Sequence, residues 1–116
     1  VNDDDQLFLR IADRLKALSD PCRLKILHTL EDGELCVSEI RERVGGSQAN
    51  ISKHLARMRS SGVLEARREG TNVYYRVIDP AAFAVCRTVC DALEARVEHE
   101  RETIARGRAA ARGMSR

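Results

Sequence analysis

Residues 47–77 read SQANISKHLARMRSSGVLEARREGTNVYYRV, and this stretch decides the fold. Ser47 is a helix-capping residue type, and the apolar residues Ile51, Leu55 and Met58 that follow recur at spacings of four and three. They define the inner face of a helix whose other face carries Gln48, Asn50, Ser52, Lys53 and Arg57. Ser60-Ser61-Gly62 breaks that helix. Two short strands are expected next, Val63–Arg68 and Val73–Val77, joined by Glu69-Gly70-Thr71-Asn72 with a tight turn at Gly70. Amide and basic side chains on a helix, followed by a basic hairpin, form the pattern a winged helix-turn-helix presents to DNA. The plainer reading of this segment alone is a solvated helix packed on a hairpin.

Working outward, the residues before this stretch supply the rest of the motif. Val37–Val44 is expected as a short helix with Ile40 and Val44 on its inner side, and Gly45-Gly46 separates it from the helix that Ser47 opens. Helix, glycine break, helix is the helix-turn-helix in sequence form, and its second member is the recognition helix. Upstream, Ser19 or Asp20 caps a helix with Pro21 in its first turn, and Leu24, Ile26, Leu27 and Leu30 carry it to the stop at Asp32-Gly33. A first helix is expected from Gln6 to Ser19 on Leu7, Phe8, Ile11, Leu15 and Leu18, after a frayed stretch at 1–5. Downstream, Asp79 and Pro80 start a last helix whose Phe83, Cys86, Cys90, Leu93 and Val97 recur in a 3-4-3-4 rhythm, widened by Val85, Val89 and Ala92. The expected architecture is mainly α with a β-hairpin wing: four helices, two strands and a fifth helix. The domain is placed at 6–101, with a basic, disordered tail at 102–116.

Composition narrows what such a domain does. A chain of 116 residues is one small domain. With two Phe, two Tyr and no Trp, its core falls to aliphatic residues. A chain of this size leaves much surface exposed, and the amphipathic first and last helices are expected to pair with those of a second copy. The net charge is only +2, but residues 47–77 hold six Lys and Arg against Glu65 and Glu69, while the first twenty residues lean acidic. That asymmetry points to a polyanion partner. No run of about 20 apolar residues marks a membrane span, so a cytoplasmic location without membrane partners is expected. The four cysteines, at 22, 36, 86 and 90, form no CxxC pair and are read as thiols. Neither a phosphate loop nor a metalloprotease or Ser-His-Asp pattern is present, so the chain is not expected to be an enzyme.

Four segments in order resemble the ArsR/SmtB family of bacterial repressors: Ser19-Asp20-Pro21-x-Arg23-Leu24-x-Ile26-Leu27, Glu34-Leu35-Cys36-Val37-Ser38-Glu39-Ile40, Gln48-x-x-Ile51-Ser52-x-His54-Leu55-x-x-Met58-x-x-x-Gly62-Val63-Leu64, and Arg67-Arg68-x-Gly70-x-x-Val73-Tyr74-Tyr75-Arg76. The resemblance runs from about residue 10 to 80. It implies a homodimer that binds double-stranded operator DNA, expected to be an inverted repeat, and releases it when an inducer binds. It places Ser47, Gln48, Asn50, Ser52, Lys53, His54 and Arg57 on the recognition helix, and Arg67, Arg68, Thr71, Asn72 and Arg76 on or beside the wing. His54 is read there either as a phosphate donor or as a packing residue.

The inducer site departs from the family's patterns. Metal-sensing members carry two cysteines in the segment beginning at Glu34, and this chain keeps Cys36 but has Ser38 at the second position. The zinc-sensing pattern of the last helix is broken at its first pair, because Asp79 is followed two places later by Ala81, although His99 and Glu102 match the second. The persulfide-sensing layout is not reproduced either, since His28 stands where its first cysteine would be. Cys86 and Cys90 share one helical face and, with Cys36, form the expected thiol site, the plainer reading of the pair being small apolar filler on the seam. It suits a soft ion such as As(III) or Cd(II), with no permanent cofactor. Cys22, in the first turn of its helix, is the secondary candidate, on the expectation that free N–H groups there favour a thiolate. The functional expectation is a repressor released by a thiol-directed signal, most simply a soft metal or metalloid. The alternatives are a redox or reactive-sulfur sensor using the same cysteines, and a non-sensing winged-helix module that binds a protein.

Overall fold

The computed structural model describes residues 2–114. In chain order the elements are α1 (Asp3–Leu18), α2 (Pro21–Thr29), β1 (Leu35–Cys36), α3 (Val37–Val44), α4 (Gln48–Ser60), β2 (Leu64–Glu69), β3 (Asn72–Val77) and α5 (Pro80–Met114). The chain divides into two compact units, Val1–Phe83 and Ala84–Arg116, the second being the greater part of α5.

Local chemistry sets each boundary in the first unit. Asp20 caps α2 by accepting the Arg23 N–H at 3.1 Å, and Pro21 takes the first helical position, where its missing N–H costs nothing. Ser47 Oγ accepts the Asn50 N–H at 3.1 Å and so opens α4. That helix closes in a Schellman motif: the Gly62 N–H reaches the Arg59 carbonyl, and the Val63 N–H reaches the Met58 carbonyl at 3.0 Å. Gly62 sits at φ +83°, a conformation that favours glycine. Val63 and Met58, the two side chains this motif brings together, are both fully buried.

The core of this unit is aliphatic. Ile26, Leu27, Ile40, Ile51, Leu55, Met58, Val63 and Leu64 are almost wholly excluded from solvent, and among the described residues no polar residue is buried. Helices α2, α3 and α4 pack on one another, and α4 also packs on β2. Ile51, Leu55 and Met58, the residues whose spacing predicts α4, carry that packing. Leu55→Ala is therefore expected to cost about 2–5 kcal/mol, measured as a lowered urea midpoint with little change in slope.

The hairpin is antiparallel, with Leu64 opposite Val77 and Glu69 opposite Asn72. Gly70, at φ +61°, opens its two-residue turn, the first position that type II′ turns reserve for glycine. The sheet has a third strand, absent from the sequence reading. β1 pairs with β3, Leu35 opposite Tyr75 and Cys36 opposite Tyr74, giving the order β1-β3-β2.

Both ends differ from expectation. The frayed start at 1–5 is corrected: helix begins at Asp3, because Asn2 caps it through the Asp5 N–H at 2.9 Å and three aspartates occupy the first turn. The disordered tail at 102–116 is corrected likewise, since α5 runs to Met114. Ala and Arg are among the best helix formers and offset Gly107 and Gly113. The outermost residues of both expectations, 1 and 115–116, lie outside the described residues.

Candidate nucleic-acid interface

The exposed side of α4 begins at its N-terminus. Ser47, Gln48, Asn50, Ser52 and Lys53 are all exposed. The helix holds no acidic residue, and Arg57 and Arg59 lie in its last turn. Its N-terminal end thus combines unpaired backbone N–H groups with amide side chains, a combination that accepts phosphate and reads base edges. Arg57 is half-covered and pairs with Asp13 at 3.6 Å.

The wing's cations fall into two groups. Arg67 is held on three sides: Glu34 and Glu69 accept its guanidinium hydrogen bonds, the latter at 2.6 Å, and it lies 4.9 Å over the Tyr74 ring. The Arg67 hydrogen bond holds the Glu34 carboxyl below its ordinary range. Arg76 pairs with Glu65 across the hairpin. Arg68 and Lys53, by contrast, make no ion pair among the described residues. Thr71 and Asn72 are exposed at the wing's tip.

His54 is placed differently from its neighbours. Its side chain is 14% exposed, with Nε2 3.8 Å from Asp20 Oδ2. Its Nδ1 lies 3.2 Å from Arg23 Nη1. The ring is thus engaged by Asp20 and Arg23 at the start of α2.

The thiols occupy distinct settings. Cys36 is half-buried and caps α3, its N–H donating to Glu39 Oε1 at 3.1 Å. Hydrogen bonds from Cys36 hold the Glu39 carboxyl low. Ser38 Oγ lies 3.2 Å from Cys36 Sγ, so the hydroxyl in place of a second thiol sits within hydrogen-bonding reach. Cys36 belongs to the first unit, while Cys86 and Cys90 stand one turn apart on α5 in the second. Cys90 is exposed, its sulfur 3.9 Å from Glu94 Oε1. At Cys22, burial, and then the Asp20 carboxylate, push the thiol up, the direction opposite to that expected of a helix N-terminus. What the sequence reading missed is a convergence of Asp20, Cys22 and His54. It depends on how α2 packs against α4, which no local pattern announces.

A helix-turn-helix followed by a basic two-stranded wing defines a winged helix-turn-helix protein. Residues 20–66 match the profile of the bacterial regulatory proteins of the arsR family. The HTH-type transcriptional regulator KmtR of Mycobacterium tuberculosis is 36% identical over 74 residues, covering 64% of this chain and 56% of that protein. The arsenic resistance transcriptional regulator ArsR2 of Pseudomonas putida is 46% identical over 66 residues, 56% of this chain and 57% of that protein. This chain thus spans little more than half the length of these two relatives. The solution structure of the homodimeric winged helix-turn-helix DNA-binding domain of Mb0332 from Mycobacterium bovis, a possible ArsR-family regulator, is 32% identical and superposes with a TM-score of 0.74. That match covers 85% of this chain and 92% of the other. The chain belongs to the ArsR family.

Proposed function

We propose that this chain is a homodimeric transcriptional repressor, without enzymatic turnover, that binds an inverted-repeat operator and leaves it when a thiol-directed inducer binds. The observation that carries the DNA reading is the acid-free, N-capped α4 exposing Gln48, Asn50, Ser52 and Lys53 beside a wing whose Arg68 is exposed and makes no ion pair among the described residues. Ser47, Arg57, Arg67, Thr71, Asn72 and Arg76 flank these groups, and His54, on α4 itself, ties that helix to Arg23 of α2. An arsenic-resistance regulator among the relatives supports a metalloid as the inducer, with Cys36, Cys86 and Cys90 as its thiols. No helix among the described residues is long and apolar enough to cross a membrane.

Dimerisation rests on exposed apolar surface. On α1, Leu7, Phe8, Ile11 and Leu15 are exposed, Phe8 by 66%. On α5, Val89, Leu93, Val97 and Ile104 are exposed as well. A soluble protein rarely leaves such stripes uncovered. Sedimentation equilibrium is expected to return twice the chain mass for the wild type. Phe8→Glu should shift it toward monomer and weaken binding to the protein's own promoter region. A monomeric wild type that binds DNA as tightly would remove the dimer from the reading.

A further inference from the structure

Three chemically different metal ligands meet where the start of α2 faces α4. One ligand atom each from Asp20, Cys22 and His54 lies within 4.8 Å of the other two, and all three residues are half-buried. A tetrahedral ion that bonds sulfur, nitrogen and oxygen at ~2.0–2.3 Å keeps its ligands about 3.5 Å apart, so side-chain adjustments of about an ångström close the site. The group is not satisfied by its own contacts. His54 Nε2 stands 3.8 Å from Asp20 Oδ2, beyond a hydrogen bond, and among the described residues Cys22 Sγ makes none. Asp20 Oδ2 accepts the Arg23 N–H at 3.1 Å, which fixes the carboxylate beside His54.

Arg23 gives the site a mechanical consequence. An arginine only donates, so Nδ1 of His54, 3.2 Å from Arg23 Nη1, is the acceptor, and the neutral ring carries its proton on Nε2, toward Asp20. An ion bonded to Nε2 requires that proton to stand on Nδ1 instead, which removes the acceptor from Arg23. The bound ion and the Arg23–His54 hydrogen bond therefore exclude each other. Arg23 keeps its bonds to the Ala17 carbonyl at 2.8 Å and the Lys16 carbonyl at 3.0 Å, so it stays with α1 while α4 is released from it.

We propose that Asp20, Cys22 and His54 form a site for a borderline divalent cation of the Zn(II) or Co(II) class, with water in the fourth position, whose binding exchanges the Arg23–His54 tie for a metal tie between α2 and α4. One sulfur, one nitrogen and one oxygen donor suit such an ion better than a strictly thiophilic one. On binding, the Cys22 Sγ proton leaves to solvent, the imidazole proton passes from Nε2 to Nδ1 through solvent, and no electrons are transferred. The site goes beyond the proposed thiol site and shares no residue with Cys36, Cys86 and Cys90.

The test uses the full chain carrying Cys36→Ser, Cys86→Ser and Cys90→Ser together, titrated anaerobically with Co(II). The expected result is a thiolate-to-cobalt charge-transfer band with intense four-coordinate visible bands, saturating at one ion per chain. Adding Cys22→Ser should abolish the charge-transfer band. His54→Gln, checked for an unchanged thermal melt, should weaken Co(II) affinity about tenfold or more. Nitrogen-15 NMR of the histidine rings during Zn(II) titration should show the His54 proton move to Nδ1. A spectrum of hydrated Co(II) in the triple variant, or a charge-transfer band that survives Cys22→Ser, overturns the site. A band present in the wild type and lost in the triple variant also overturns it and assigns the metal to the other thiols. Co(II) binding in the triple variant alongside operator release unchanged from wild type leaves this site standing and sinks the reading of Cys36, Cys86 and Cys90.

Discussion

Operator affinity is expected to fall about 10³-fold or more when salt rises from about 50 to about 200 mM. That slope corresponds to roughly six or more neutralised phosphates per dimer, or about three per subunit. Lys53 and Arg68 are exposed and unpaired among the described residues, and the N-terminal amides of α4 are expected to add phosphate donors. Arg67 and Arg76 would first have to leave Glu34, Glu69 and Glu65, so their contribution is discounted. Arg68→Ala is expected to weaken operator and random DNA in parallel and to reduce the salt slope by about one. Gln48→Ala should cost about 1–3 kcal/mol on operator and little on random DNA, because an amide reads adenine's edge while a phosphate contact reads none. Fluorescence anisotropy with competitor duplexes measures all three. Salt-insensitive binding to its own promoter region would end the repressor reading, and equal losses on both duplexes for Gln48→Ala would make that residue a positioning contact.

Cys90→Ser is expected to leave operator binding nearly intact while abolishing release by the inducer. The exchange removes a soft ligand at an exposed position and little volume, so the fold has small reason to respond. Cys36→Ser is a cleaner test still. Cys36 is the N-cap of α3, and serine is among the best residues there, so a lost response cannot be blamed on a weakened helix. A release of about 100-fold requires the inducer to favour the DNA-incompetent state by roughly 3 kcal/mol, and loss of one thiolate should remove most of that difference. The measurement is operator release by As(III), Cd(II), Zn(II), disulfide stress and a persulfide donor, on the wild type and each single variant. Full responses in Cys36→Ser, Cys86→Ser and Cys90→Ser alike would exclude the three as the inducer site. Release by oxidants alone would favour the redox alternative.

Where the physics is local, the sequence was readable. The helix expected at Val37–Val44 is found at those residues, and Ser47 caps α4 as its residue type predicts. The wing strands differ by a residue, at Leu64–Glu69 and Asn72–Val77. β1 escaped because two residues carry no periodicity, and its partner β3 lies some forty residues downstream. The length of α5 escaped because Gly107 suggests a break, whereas a glycine costs a long helix only about 1 kcal/mol. The interface was legible as a set of residue types and not as a set of available charges. Nothing in Arg67-Arg68 tells which guanidinium is tied down, since Glu34 reaches Arg67 only once β1 has joined the sheet. His54 follows the same logic: helical spacing places it at the flank of the buried stripe, and only α2 determines what its ring meets.

The two-residue strand β1 makes Cys36 a hinge pin. The residue ends one strand, opposite Tyr74 in the wing, and caps the helix that supports α4. A shift of its backbone is therefore shared by both neighbours, since the same residue pairs with β3 and starts α3. Such a junction behaves as a lever with a very short arm, joining the wing strand β3 to the start of α3. Amide exchange offers a view of it, because modification of Cys36 alone should loosen β3 and the first turn of α3 together, at a single common rate.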